Sequence, residues 1–235
     1  DTKIDFKNPE FYENRELSWI KFDNRVLSEA RDKSIPLLER LKFVSITSSN
    51  LDEFFMVRVA SLLDMVHANY KKRDIAGMTA TEQLAAINKE TRELVDTQYS
   101  TYTRSLVPLL NKEGIYLVDE HETLTDEQAA FVDRYFMESV YPVLTPMAVD
   151  ASRPFPLIRN KTLNIAALLS SKQNSKETVF ATVQVPGVLP RLVPIPSEEG
   201  TTTFILLEQI IERNIGLLFS NYKVLCAYPY RIMRN

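Results

Sequence analysis

Hydrophobic residues recur at three- to four-residue spacing through roughly the first 113 residues, which predicts α-helices. One helix is predicted over 16–31, and a second begins near Pro36. The polar stretch 47–50 is expected to separate or kink this helix from a third one. Thr79 and Glu82 have the spacing of a capping box for a long helix that ends near Gly114. Helices joined by short turns favour an antiparallel bundle.

The pattern changes after Gly114, where short strand-like runs alternate with helical ones. Thr125 and Gln128 are spaced to begin a helix that runs to about Tyr141. Prolines 142, 146, 154 and 156 then predict an extended loop. A further helix is predicted over 204–219, and strands are predicted over 115–118, 163–169, 179–185, 192–195 and 222–233. The expected fold class is α+β, with a helical domain at 1–114 and a truncated α+β domain at 115–235.

Composition and charge exclude several classes of protein. With 45% apolar and 25% charged residues, the chain has the composition of a soluble globular protein, and no apolar run approaches the ~20 residues that cross a bilayer. A net charge of −3 argues against a nucleic-acid-binding surface. The single cysteine excludes an internal disulfide and favours a reducing, cytoplasmic location. The five glycines are scattered, so no glycine-rich phosphate loop is present.

Charged residues fall inside the apolar faces of two predicted helices. Arg58 lies in the seam of the third helix, and Glu16 and Asp23 lie in the apolar arc of the first. Because unpaired buried charges are costly, a structural ion pair between these helices is the simpler interpretation. The alternative is that Arg58 faces a phosphate.

Asn50 has two competing interpretations, one structural and one functional. Its position favours a helix N-cap, with Glu53 as the third-position partner. Its amide, which both donates and accepts, could instead bind an adenine edge.

The remaining reactive side chains have no catalytic spacing. His67 and His121 lack a nucleophile or carboxylate partner at motif distance, and we interpret both as surface residues. Cys226 lies in a strand pattern and is expected to be buried and inert. Arg231 and Arg234 could form a basic edge, but their role depends on sequence that is absent. No metal site is expected.

Several long strings in the chain resemble the bacterial-type polyphosphate kinase family. The first segments are Glu16-Leu17-Ser18-Trp19-Ile20, Pro36-Leu37-Leu38-Glu39-Arg40-Leu41-Lys42-Phe43 and Ser48-Ser49-Asn50-Leu51-Asp52-Glu53-Phe54-Phe55-Met56-Val57-Arg58. Later ones are Tyr141-Pro142-Val143-Leu144-Thr145-Pro146-Met147-Ala148-Val149-Asp150 and Tyr230-Arg231-Ile232-Met233-Arg234-Asn235. They occur in the family's order over nearly the whole chain.

The resemblance implies an enzyme that reversibly transfers the terminal phosphate of ATP to inorganic polyphosphate through a phosphohistidine, with Mg²⁺ as cofactor. It implies that the amino-terminal helical domain caps the ATP pocket and that the α+β region is part of the head domain. The asparagine that contacts adenine in the family maps onto Asn50. The resemblance therefore favours adenine binding over helix N-capping as the role of Asn50. The phosphorylated histidine and the arginines that handle Mg²⁺ and polyphosphate would lie beyond residue 235. We therefore expect this truncated chain to bind ATP and ADP at most, and to have no kinase activity alone.

A second hypothesis is that the region is a dimerisation and scaffolding module of the same enzyme. The resemblance implies a homodimer formed through these domains, and apolar loop residues around Phe155 and Leu157 suit a partner surface. An unrelated helical binding protein is a third option, supported by composition alone. The expected location is cytoplasmic, with peripheral membrane association of the parent enzyme as a further option.

Overall fold

The computed structural model describes residues 5–149, 155–172 and 178–234, and the chain forms two compact units that divide between Leu110 and Asn111. The first unit is helical, and the second combines helices with two small sheets. This arrangement confirms the predicted α+β class. The division falls four residues before Gly114, where sequence periodicity predicts the boundary.

The first unit consists of helices α1 (Arg15–Arg31), α2 (Leu37–Phe54), α3 (Ala60–His67), α4 (Ala80–Thr101) and the first part of α5 (Val107–Lys112). A π-helical turn at Phe55–Val59 joins α2 to α3 without a break, and another at Tyr102–Leu106 joins α4 to α5. The predicted capping box of Thr79 and Glu82 begins α4, and Asn14 caps α1 by accepting from two backbone N–H groups.

The predicted break at 47–50 is wrong, because α2 runs through these residues. The polar side chains there find partners that keep the helix intact. Thr47 is fully buried and its Oγ1 donates to the Phe43 carbonyl 2.9 Å away, while the Asn50 amide bonds to α1. The core of this unit is an apolar cluster from α1–α4 and the first π turn, formed by Ile20, Leu27, Ala30, Leu51, Phe54, Val59, Leu62, Ala80, Ile87 and Leu94.

The second unit contains β1 (Ile115–Leu117), α6 (Asp126–Tyr135), β2 (Pro146–Val149), β3 (Leu163–Ser171), β4 (Thr178–Gln184), β5 (Leu192–Ile195), β6 (Thr202–Leu206), α7 (Leu207–Asn214) and β7 (Tyr222–Arg231). One sheet has the order β2-β4-β3-β7 and is antiparallel throughout. The other has the order β1-β6-β5, with β1 and β6 parallel. Alternate residues of β3 and β4 pack with α6 and α7 in one core.

Two predictions for this unit are wrong. The helix predicted over 204–219 begins at Leu207, because residues 202–206 form β6 between β1 and β5. The loop predicted from the prolines contains β2, whose first residue, Pro146, occupies the edge of the sheet where a missing N–H is tolerated. The predicted extended conformation of Pro154 lies outside the described residues. The capping box at Thr125 and Gln128 is confirmed.

Candidate functional site

Asn50 lies in the fourth turn of α2 and faces α1. Its Nδ2 donates to Asp23 Oδ1 over 2.9 Å. The N-cap interpretation is wrong, because the residue is deep inside a helix that begins at Leu37. Once Asp23 holds one amide hydrogen, the second hydrogen and the carbonyl Oδ1 remain as one donor and one acceptor. Asn50 itself is half-buried.

Asp23 is fully enclosed by the first unit, as its place in the apolar arc predicts. Oδ1 accepts from Asn50, while Oδ2 has no hydrogen-bond partner among the residues that the structure describes. Burial raises the pKa of this carboxyl from 3.8 to about 6, and the hydrogen bond from Asn50 opposes that rise. The carboxyl therefore holds the Asn50 amide in one orientation, but the burial of its charged form lowers the stability of the folded protein.

An aromatic pair lies one helical turn from this hydrogen bond. The rings of Trp19 and Phe54 stack with centroids 4.3 Å apart and planes 5° apart. Trp19 precedes Asp23 by four residues and Phe54 follows Asn50 by four, so α1 and α2 run antiparallel with both pairs in register. The stack fixes the spacing of the two helices where the amide and the carboxyl meet.

Arg58 does not form the predicted ion pair. It is exposed, and the buried Glu16 instead pairs with its neighbour Arg15, with Arg15 Nη2 2.6 Å from Glu16 Oε1. The prediction fails because the π-helical turn at 55–59 shifts the helical phase just before Arg58. Arg58 lines a cavity of about 580 Å³ between the start of α1, α3 and the loop before α4. Asn50 is not among the described residues that line this cavity, so the two candidates do not share it.

The histidines behave differently from each other. His67 is exposed at the end of α3, as predicted. The surface interpretation of His121 is wrong, because its side chain is only 19% exposed and its Nδ1 is enclosed without a hydrogen-bond partner among the described residues. Its Nε2 lies 3.4 Å from Glu122 Oε1. Neither ring is near a group of three or more potential metal ligands in the described part of the chain.

The other candidates lie on the second unit. Cys226 is half-buried in β7, less enclosed than predicted. Arg231 and Arg234 are exposed at the end of the described chain. Phe155 and Leu157 are 59% and 80% exposed, so the predicted apolar loop surface is present.

Sequence reasoning missed the partner of Asn50. The Asp23 carboxylate was recognisable as a charge on an apolar face, but its distance of 27 residues from Asn50 gives no local signal. It also missed the pair between buried Glu208 and Arg191, whose Nη2 is 2.5 Å from Glu208 Oε1.

Among the described residues, no helix is long and apolar enough to span a membrane.

Comparison with known proteins gives one consistent result. Residues 12–118 match the family model described as polyphosphate kinase N-terminal domain, and residues 127–235 match the one described as polyphosphate kinase middle domain. The polyphosphate kinase of Lactiplantibacillus plantarum is 51% identical over 232 residues, which is 99% of this chain and 32% of that protein. That of Halalkalibacterium halodurans is 48% identical over 99% of this chain and 33% of its own length.

A solved structure agrees with these sequence matches. The crystal structure of polyphosphate kinase from Porphyromonas gingivalis has a TM-score of 0.82 and 30% sequence identity, covering 94% of this chain and 33% of that chain. The chain therefore spans about a third of the length of the relatives that it matches.

Proposed function

The chain belongs to the polyphosphate kinase family, and we propose that it supplies the adenine side of the ATP pocket in such an enzyme. The proposed overall reaction is the reversible transfer of the terminal phosphate of ATP to inorganic polyphosphate through a phosphohistidine. The observation that carries the proposal is the Asn50 amide, held in one orientation by Asp23 over 2.9 Å. The proposed compartment is the cytoplasm.

The geometry of Asn50 suits the edge of an adenine ring. The 6-amino group of adenine donates and the neighbouring ring nitrogen accepts, so a free amide carbonyl and a free amide hydrogen complement them. Because one hydrogen is bound to Asp23 Oδ1, the amide cannot flip without losing that bond. Such preorganisation favours adenine over a base that presents a carbonyl at this position.

The role of these residues in catalysis is orientation. Holding the base places the γ-phosphate in line with a nucleophile, and such placement can supply several kcal/mol of the barrier reduction. We propose that the phosphorylated histidine lies outside residues 1–235, because neither His67 nor His121 has a matching motif. The described residues hold no group of three or more potential metal ligands, and we propose that the ligands of Mg²⁺ also lie outside this chain.

The test replaces Asn50 by Ala in a polyphosphate kinase that carries these residues. A single hydrogen-bonded amide contributes about 1 kcal/mol, so we expect the KM for ATP to rise severalfold while kcat changes little. Asn24→Ala is the matched control, because Asn24 is exposed on α1 next to Asp23. An unchanged KM in the Asn50 variant would contradict the proposal.

The fragment itself gives a separate test. Residues 1–235 alone are expected to form no ADP from ATP and polyphosphate, because the proposed nucleophile is missing. Turnover by this chain, retained after purification to a single species, would overturn the assignment of the chemistry to other residues.

A second candidate function is dimerisation, favoured by Leu157, which is 80% exposed, and by Phe155 beside it. Leu157→Asp should convert a dimer of the chain to monomers in sedimentation velocity, with or without ATP. Leu217→Asp is the control, since Leu217 is 55% exposed elsewhere on the second unit. A sedimentation coefficient unaffected by Leu157→Asp would exclude this surface as the interface.

A further inference from the structure

A second cavity in the helical unit is lined mainly by positively charged residues. It measures about 540 Å³ and lies where the end of α1, the first turns of α2 and the end of α4 meet. Four cationic residues line it, and Asp96 is the one carboxylate among its described lining residues. The cations are Arg31, Lys33, Arg40 and Arg104. The chain as a whole has a net charge of −3, so this local excess opposes the general trend.

Arg40 is the central feature of this cavity. Only 5% of the residue is exposed, yet no carboxylate of the described chain forms an ion pair with it. Its Nε donates to the Ala30 carbonyl over 2.8 Å, and its Nη2 donates to Ser105 Oγ over 3.3 Å. These two bonds fix the guanidinium, while Nη1 has no hydrogen-bond partner among the described residues.

A buried guanidinium is normally paired, because removing a charge from water is costly. The bond to Ala30 satisfies one open carbonyl at the end of α1, which compensates part of that cost. The exposed Asp32 is the nearby carboxylate, but its pKa is lowered chiefly by hydrogen bonds that its Oδ1 accepts from the Ser34 backbone and hydroxyl, and Arg40 adds only a smaller electrostatic contribution. Arg40 therefore keeps a positive charge that no described carboxylate neutralises.

The other lining groups suit the same kind of ligand. Arg31, Lys33 and Arg104 are exposed, and none of them is paired with a carboxylate in the described part of the chain. The Ser100 hydroxyl also lines the cavity and makes no hydrogen bond there to a described residue. By contrast, two arginines of the cavity near Arg58 are already neutralised, since Arg15 pairs with Glu16 and Arg73 with Glu82.

We propose that this cavity is a binding site for a multiply charged phosphate anion, separate from the proposed adenine contact. Arg40 serves as the fixed cation inside, and Lys33 and Arg104 close on the outer phosphate oxygens as mobile cations. Charge-assisted hydrogen bonds to phosphate are stronger than neutral ones, and arginine can form two at once. The site takes a phosphate chain whether it is inorganic or belongs to a nucleotide.

The experiment is isothermal titration of residues 1–235 with tripolyphosphate, inorganic phosphate and ATP. Tripolyphosphate should bind saturably and more tightly than inorganic phosphate, because it can reach more of the cations. The Lys33→Gln/Arg104→Gln double variant should bind tripolyphosphate at least about tenfold more weakly, which corresponds to ~1.4 kcal/mol. It should also show a shallower dependence of affinity on salt. ATP binding of equal strength would identify the phosphate chain as the recognised part.

Two controls make the outcome decisive. Arg92→Gln removes an exposed arginine of the same helix α4 that lies outside this cavity, and it should leave the affinity unchanged. Asn50→Ala should likewise leave tripolyphosphate binding unchanged, which separates this site from the adenine contact. Trp19 fluorescence verifies that each variant is folded. Absence of saturable binding, or equal weakening by Arg92→Gln and by the double variant, would overturn the proposal.

Discussion

Replacing Asp23 by Asn should stabilise the helical unit near neutral pH. Asn is nearly isosteric with the protonated carboxyl, and its Oδ1 can still accept from the Asn50 Nδ2. The wild-type carboxyl has its pKa raised from 3.8 to about 6, and each pKa unit corresponds to ~1.4 kcal/mol. The full difference is therefore ~3 kcal/mol, and solvent relaxation around the charge reduces the expected stabilisation to about 2 kcal/mol.

The pH dependence gives this prediction its sign. Because the pKa of the Asp23 carboxyl is higher in the folded protein than in the unfolded chain, the folded wild-type protein binds the proton more tightly than the unfolded chain does. Its stability therefore decreases as pH rises from about 4 to about 6, the window between the two pKa values. The variant lacks this titration. The stability gap between the two proteins should be small at pH 4 and should reach about 2 kcal/mol at pH 7.

Urea unfolding followed by Trp19 fluorescence measures the gap directly. Trp19 is the only tryptophan of the chain and stacks on Phe54 one turn from Asp23, so its emission reports the helical unit. Asp32→Asn is the control in the same unit, because hydrogen bonds from Ser34 lower the pKa of Asp32, so the stability gap between this variant and the wild type should stay nearly constant from about pH 4 to pH 7 and change only at lower pH. For Asp23→Asn, a gap independent of pH, or a wild-type protein more stable than this variant at pH 7, would refute the reasoning.

Three further substitutions have defined outcomes. Arg58→Met should change the free energy of unfolding of the helical unit, measured with urea, by less than about 0.5 kcal/mol, because Arg58 is exposed and makes no ion pair with a described residue; a larger loss of stability would support the structural ion pair instead. Thr79→Ala should cost about 1 kcal/mol in the same assay through loss of the observed capping box, whereas Thr81→Ala on the exposed face of α4 should cost almost nothing. Arg191→Met should destabilise the second unit by about 2–3 kcal/mol in thermal unfolding followed by circular dichroism, because it leaves the Glu208 carboxylate buried and unpaired; an unchanged melting temperature would show that the pair contributes nothing.

The sequence predicts most elements because local signals are strong where they occur. Both capping boxes, at Thr79 and Thr125, begin helices at the predicted residues. The strand predicted over 192–195 has the observed bounds. Repeated apolar spacing and cap chemistry act over a few residues, so they can be recognised without tertiary information.

The failures come from partners that are distant in sequence. The polar run at 47–50 resembles a break, but its Asn50 bonds to Asp23 across 27 residues. Residues 204–206 continue the apolar pattern of α7, but pairing with β1 and β5 makes them a strand. Arg58 leaves the predicted seam because a π-helical turn shifts the helical phase, and a single extra residue per turn has no clear local signature.

The candidate site was recognisable only in part. Asn50 emerges from the resemblance of its surrounding segment to the family, and its geometry adds the Asp23 contact, which neither spacing nor resemblance indicates. The cationic cavity around Arg40 was not predicted at all. Its members come from distant parts of the chain, and Arg40 and Ser105, which share a hydrogen bond, are 65 residues apart, so no short sequence window contains them.

The central claim is that Asn50 binds the adenine edge, and a double cycle of enzyme and substrate tests it most directly. KM is measured for ATP and for purine riboside triphosphate, which lacks the 6-amino group, in the wild-type enzyme and in Asn50→Ala. If Asn50 binds that group, either change alone raises KM severalfold, and the two together raise it little further. Effects that multiply independently would show that Asn50 and the 6-amino group do not interact, and would contradict the assignment.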